Sequence, residues 1–139
     1  MGFAVHAATK SKDTTQVGAV LVRDRTVLAS GYNGPPRGVR DTPDRFERPK
    51  KYLFAAHAEM NLIATAAREG IRIEGCSVYV THAPCSTCAR LLIQSGVGKV
   101  VVGAGETSMP PDEFEAARMM FDEAGVQVVQ RSLSSRRET

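Results

Sequence analysis

No apolar run in this chain of 139 residues approaches the length of a membrane span. The first residues, Met1-Gly2-Phe3-Ala4-Val5-His6, lack the basic start, long apolar stretch and cleavage site of a signal peptide, so a cytoplasmic location is expected. Cysteine is scarce and odd in number, three in all. In a reducing compartment such thiols serve as metal ligands or small core residues more often than as disulfides. A dominant charge sign is also missing. The net charge is +3, and much of the excess is local: Arg131, Arg136 and Arg137 near the end, and Arg37, Arg40, Arg45, Arg48, Lys50 and Lys51 in one stretch. That balance argues against a nucleic-acid partner, while the local stretch suits a small anionic ligand. Repeats and interdomain linkers are absent, and the length fits one domain with a full core. The domain is expected over residues 1–131, with a polar tail at 132–139.

What is present reads as alternating elements. Residues 2–10 have the apolar spacing of a short helix. Val17-Gly18-Ala19-Val20-Leu21-Val22 is a continuous β-branched run of the kind found in buried strands. Asp24-Arg25 is a short turn into a second strand, 26–32, which makes 17–32 a hairpin. Asn33-Gly34-Pro35-Pro36-Arg37-Gly38 opens a long loop, the sort that is usually functional or disordered. A helix is expected over 52–69, stopped by Gly70. A third strand (76–81), a helix (85–95), a fourth strand (99–103), a helix (112–124) and a fifth strand (126–129) follow. A hairpin followed by strands alternating with helices predicts an α/β fold: a five-stranded mixed sheet with helices on both faces, a three-layer α/β/α sandwich.

The chemistry concentrates at His57-Ala58-Glu59 and Pro84-Cys85-Ser86-Thr87-Cys88. A Cys-x-x-Cys that opens a helix after a strand points both thiolates at the helix N-terminus, whose partial positive charge favours them. Three protein ligands, His57, Cys85 and Cys88, with one open position mark a catalytic rather than a structural zinc site. The fourth position would hold water, whose pKa zinc lowers to roughly 7. Glu59 is too close in sequence to His57 to be an obvious fourth ligand from the same helix, but it can stand beside that water and move its proton. The arrangement suits hydrolytic deamination, in which a zinc-bound hydroxide attacks an amidine carbon. Cys76 reads as a small hydrophobe at a strand start, and His82 as a pocket-wall or surface residue.

His-x-Glu followed by Pro-Cys-x-x-Cys is the known signature of zinc nucleobase deaminases. The wider pattern resembles the deoxycytidylate (dCMP) deaminase family, with its cytidine deaminase-like fold. The residues that carry the resemblance are Ser11-Lys12-Asp13, Val17-Gly18-Ala19, Gly31-Tyr32-Asn33-Gly34 with Pro36 and Gly38, His57-Ala58-Glu59-Met60-Asn61, Tyr79-Val80-Thr81, Pro84-Cys85 with Cys88, and Ala116-Ala117-Arg118 with Phe121. It covers nearly the whole chain from Phe3 to Val126. The resemblance implies hydrolysis of dCMP to dUMP and ammonia, supplying pyrimidine deoxynucleotides for dTMP synthesis. It implies one Zn2+ per chain on His57, Cys85 and Cys88, with Glu59 as proton shuttle. It places Asn33, Ala58 and Pro84 at the substrate, Asn33 on the sugar hydroxyl and the Ala58 backbone at the pyrimidine. Arg37 would lie near a substrate or effector phosphate, and Arg68, which matches an arginine near a subunit interface, is a further candidate for a phosphate or effector contact. A homohexamer with dCTP and dTTP as effectors, and Mg2+ accompanying the triphosphate, is also implied.

The chain departs from the family pattern in places. Neither Cys nor His occurs between Asn33 and His57, so a single zinc is expected. Glu106-Thr107-Ser108-Met109 stands where an aromatic is common after the fourth strand, and His82 where an apolar residue is common. Other substrates within the superfamily are a 5-substituted dCMP, CMP, dCTP, a nucleoside, a free base or tRNA adenosine. A non-catalytic nucleotide-binding zinc module is the alternative of a different class, and Glu59 argues against it.

Overall fold

The computed structural model describes residues 1–131; the polar tail expected at 132–139 lies outside the described residues. The β-branched runs form β1 (Gly18–Arg23) and β2 (Thr26–Tyr32), paired antiparallel. Asp24 and Arg25 between them both take positive φ, 50° and 66°, the backbone that lets a two-residue turn follow the twist of its strands. β3 (Ser77–His82) pairs antiparallel with the other edge of β1. β4 (Lys99–Gly105) and β5 (Gln127–Gln130) then add in parallel, giving the order β2-β1-β3-β4-β5. The five-stranded mixed sheet expected from the sequence is present.

The two parallel connections are helical crossovers, as parallel strands require: α4 (Ser86–Gln94) between β3 and β4, and α5 (Pro111–Ala124) between β4 and β5. Alternate sheet residues Ala19, Leu21, Val78, Val80, Val100 and Val102 form one buried cluster with Leu92 of α4, Phe121 of α5, and Ala58, Leu62 and Ala66 of α3 (Ala58–Glu69). The opposite face carries α1 (Gly2–Ala8). Two glycines set these approaches. A Cβ on Gly18 would stand 2.1 Å from the Ala4 carbonyl oxygen, and one on Gly31 would stand 2.5 Å from the Ala58 carbonyl oxygen and 2.7 Å from the Leu62 nitrogen. Both obstacles are backbone, so neither can swing aside. Gly31→Ala is expected to lower the unfolding free energy by about 2 kcal/mol, read from urea denaturation.

The continuous helix expected over 52–69 is in fact two pieces, α2 (Lys51–Phe54) and α3. Between them Ala56 pairs antiparallel with Gly34, exchanging N–H···O bonds of 2.8 and 3.1 Å, and His57 is extended at φ −73°, ψ 158°. Ala55 and Ala56 suit a helix well enough that periodicity runs on through the break. The bridge that forces it comes from a loop distant in sequence. The break makes His57 the residue that enters α3 and leaves Glu59 in the first turn. Other helix and strand boundaries agree with expectation to within two residues, and the long loop carries one 3-10 turn at Pro43–Phe46. No helix among the described residues is long and apolar enough to cross a membrane.

Candidate metal centre and pocket

Two helix starts meet below the C-terminal end of β3. At one, the Gly34–Ala56 bridge holds the chain extended into His57, and Asn61 in the next turn donates from Nδ2 to the Tyr32 carbonyl at 2.7 Å, tying α3 to the end of β2. At the other, Cys85 is the extended residue before α4 (φ −75°, ψ 174°) and Cys88 lies within its first turn. His57 Nδ1 stands 3.4 Å from each of the Cys85 and Cys88 sulfurs. All three ligand atoms lie within 4.8 Å of one another, with both sulfurs buried. A tetrahedral zinc with ordinary Zn–N and Zn–S bonds separates its N and S ligands by about 3.5 Å. The spacing and the N/S/S donor set therefore fit zinc, and His57, Cys85 and Cys88 form a zinc-binding site for one ion.

The two thiols are shifted in opposite directions by their mutual hydrogen bond. The Cys85 thiol is pulled down to about 4, first by a hydrogen bond from the Cys88 thiol and then by His57, against the cost of burial. Cys88 moves the other way, raised by its bond to Cys85, by burial and by the nearby Glu59 charge. The same Cys85 thiolate raises His57. Glu59 is 4% exposed. Burial pushes its carboxyl up to about 7, offset in part by its own backbone N–H and by His57. A carboxyl near neutrality can both accept and return a proton.

Above this floor lies a cavity of about 130 Å³. His57, Ala58, Glu59 and Cys85 form its base, and Asn33, Lys51, His82 and Thr107 its walls. Arg48, Tyr52 and Ser108 stand at its mouth, where the Arg48 guanidinium donates to both neighbouring hydroxyls. The pair Arg48–Ser108 joins the long loop to the loop after β4. His82 sits with Nδ1 2.7 Å from the Thr81 hydroxyl, which itself accepts the Gly18 N–H at 3.1 Å. Burial lowers the His82 pKa, which favours the neutral ring. Gly105 makes room for it: a Cβ there would fall 2.4 Å from the ring. The Thr107 hydroxyl oxygen is buried with no hydrogen-bond partner, an orphan in the cavity wall.

Several residues singled out from the sequence converge here. His57, Glu59, Cys85, Ala58 and Asn33 line the cavity, and Cys88 completes the donor set. Both ends of the Asn33 amide are engaged, Oδ1 by the Val17 N–H at 2.9 Å and Nδ2 by the Thr15 carbonyl at 2.8 Å. Asn33 thus staples the end of β2 to the 15–17 segment while presenting its edge to the cavity. Pro84 is buried behind the wall, and Ala83 lines the cavity in its place. Arg37 and Arg68 are exposed and lie outside the lining. The sequence marked the basic 35–51 stretch without singling out Arg48 and Lys51, the two of its cations that line the cavity. Sequence reasoning missed Asp13, whose carboxylate meets Lys51 at 3.2 Å, and Thr107, for which the sequence held no signal.

Residues 1–104 match the profile of the cytidine and deoxycytidylate deaminase zinc-binding region. A protein of Aliivibrio fischeri named as an uncharacterised deaminase is 42% identical over 122 residues, covering 85% of this chain and 81% of that protein. Human deoxycytidylate deaminase is 37% identical over 134 residues, covering 91% of this chain and 74% of its own. Among solved structures, the dCMP deaminase of cyanophage S-TIM5 in complex with dCMP and dUMP aligns with a TM-score of 0.77 at 27% identity, over 94% of this chain and 92% of that one.

Proposed function

The chain belongs to the zinc-dependent cytidine and deoxycytidylate deaminase family, and from that premise we propose that it hydrolyses dCMP to dUMP and ammonia. The observation that carries the proposal is the buried Glu59 carboxyl in the base of the cavity, beside the donor set of His57, Cys85 and Cys88. A purely structural zinc site has no use for a buried acid at an open face.

Zinc held by His57, Cys85 and Cys88 supplies, when bound, a Lewis acid that makes water a nucleophile near neutral pH. Glu59 takes a proton from the attacking water and delivers it to the ring nitrogen of the cytosine, then helps the second to the departing amine. The oxygen bonds to the carbon that loses the amine. One water proton stays on the ring nitrogen of the uracil product, and the other leaves in ammonia. The first backbone N–H groups of α3 have no acceptor within the helix, and Ala58 at its start offers one to the pyrimidine. Asn33 faces the sugar.

Support for a nucleotide, rather than a nucleoside, comes from Arg48. Lys51 is neutralised by Asp13, whereas among the described residues the Arg48 guanidinium at the mouth donates to the neutral hydroxyls of Tyr52 and Ser108. A base held at the metal and a phosphate held at Arg48 would span the cavity from floor to mouth. Arg48→Ala is expected to raise KM for dCMP by about tenfold or more, the loss of a charged hydrogen bond, and to leave turnover of deoxycytidine unchanged. Steady-state rates on both substrates check this.

The proposal extends to assembly and control: a homo-oligomer, a hexamer, responsive to dCTP and dTTP with Mg2+. Arg37 and Arg68, exposed and away from the cavity wall, are assigned to effector or subunit contacts. The dUMP formed would feed dTMP synthesis. The test is turnover by zinc-loaded protein on dCMP, CMP, dCTP, deoxycytidine and 5-substituted dCMP, each with and without dCTP or dTTP and Mg2+, followed by ammonia release and loss of absorbance. The highest kcat/KM on dCMP is expected. Absence of turnover with every cytosine nucleotide would overturn the proposal. Preference for deoxycytidine would keep the reaction and remove the phosphate reading.

A further inference from the structure

A helix entered by serine, threonine, aspartate or asparagine satisfies its first free N–H groups with the side chain at its cap. In α4 the cap residue is Cys85, and it makes no such side-chain bond because its sulfur faces His57 and Cys88. The exposed start of this helix is served instead from another element. Glu113, in the first turn of α5, directs one carboxylate oxygen to Ser86, accepting its backbone N–H at 3.1 Å and its hydroxyl at 2.8 Å. Those bonds to Ser86, with the Arg90 charge behind them, hold the Glu113 carboxyl below its ordinary value. Ser86 is the first of the two residues between the halves of the metal hook: it follows Cys85 directly and opens the turn that carries Cys88. Glu113 lies beyond residues 1–104, the part of the chain that the family profile matches.

We propose that Glu113 is a positioning residue for the metal centre: by capping Ser86 from α5 it fixes the first turn of α4, and with it the spacing of the Cys85 and Cys88 sulfurs. The inference rests on the zinc-site reading above. The bond pair acts on the backbone rather than on the metal, so its loss loosens the hook without removing a ligand. Groups that orient metal ligands in this way typically change metal affinity by about 10–100-fold when removed.

The experiment compares zinc-loaded wild type, Glu113→Ala, Glu113→Gln and Phe121→Leu. Phe121, buried in the core on the same helix, serves as a control for general loosening of α5. Zinc transfer to an excess of chelator gives the release rate, and the cobalt-substituted proteins give the thiolate-to-metal absorption band. Glu113→Ala is expected to release zinc about tenfold faster or more and to shift the cobalt band. Glu113→Gln keeps an oxygen acceptor for the Ser86 N–H and should recover most of the wild-type rate. Release from Glu113→Ala no faster than from Phe121→Leu, or an unshifted cobalt band, would overturn the positioning role. Failure of the wild type itself to hold one zinc would instead overturn the metal-centre reading, so the two failures are distinguishable.

Discussion

Glu59→Gln protein is expected to keep its zinc and to lose about 10³-fold in kcat on dCMP. Glutamine matches glutamate in shape, and the side chain is almost fully enclosed, so packing at the base of the cavity survives. What disappears is the ability to accept the proton of the attacking water. Zinc retention follows because the donor set is His57, Cys85 and Cys88, and Glu59 is not part of it. KM should change little if Glu59 acts on the reacting atoms rather than on binding. Metal analysis and steady-state kinetics on the same preparation separate the two effects. Glu59→Ala should lose turnover equally, with an added loss of stability from the buried space it opens. Substantial turnover in either variant would remove the proton-shuttle role, and loss of zinc from Glu59→Gln would make Glu59 a ligand instead.

Much of this site was legible because its parts are local in sequence. His57 and Glu59 are two residues apart, and the cysteines sit one helical turn apart, so spacing alone places each pair. The hairpin of 17–32 and the parallel strands were legible for the same reason: β-branched runs bounded by turn residues need no distant information. What escaped was set by partners far along the chain. The end of α2 depends on Ala56 bridging to Gly34, and neither residue announces the pairing. The basic 35–51 stretch holds six cations, and composition cannot say which of them turns inward. The path of the loop brings Arg48 and Lys51 to the cavity and leaves Arg37 outside. Glu113 looks like an ordinary first-turn acid that favours its own helix N-terminus. Only the packing of α5 on α4 shows that it caps the neighbouring helix.

The Asp13–Lys51 pair has the same nonlocal origin and should dominate the stability of the pocket wall. Asp13 is 6% exposed and Lys51 9%, and the lysine nitrogen lies 3.2 and 3.5 Å from the two carboxylate oxygens. The nearer oxygen also accepts the Thr15 N–H at 2.9 Å, in the segment that Asn33 staples to β2. Removing one member of a buried pair leaves the other charge without compensation, which typically costs about 3–5 kcal/mol. Lys51 faces a cavity that opens to solvent, so Asp13→Ala is expected near the lower end, about 3 kcal/mol, in urea denaturation. The double variant Asp13→Ala/Lys51→Met removes the stranded ammonium and should recover most of that loss. Asp13→Asn keeps the acceptor for Thr15 but not the charge, and should fall between wild type and Asp13→Ala. If the double variant is no more stable than Asp13→Ala, the loss comes from the Thr15 bond rather than the unpaired lysine. A loss no greater than that of an ordinary surface change, about 0.5 kcal/mol, would mean that solvent entering the cavity already screens the pair.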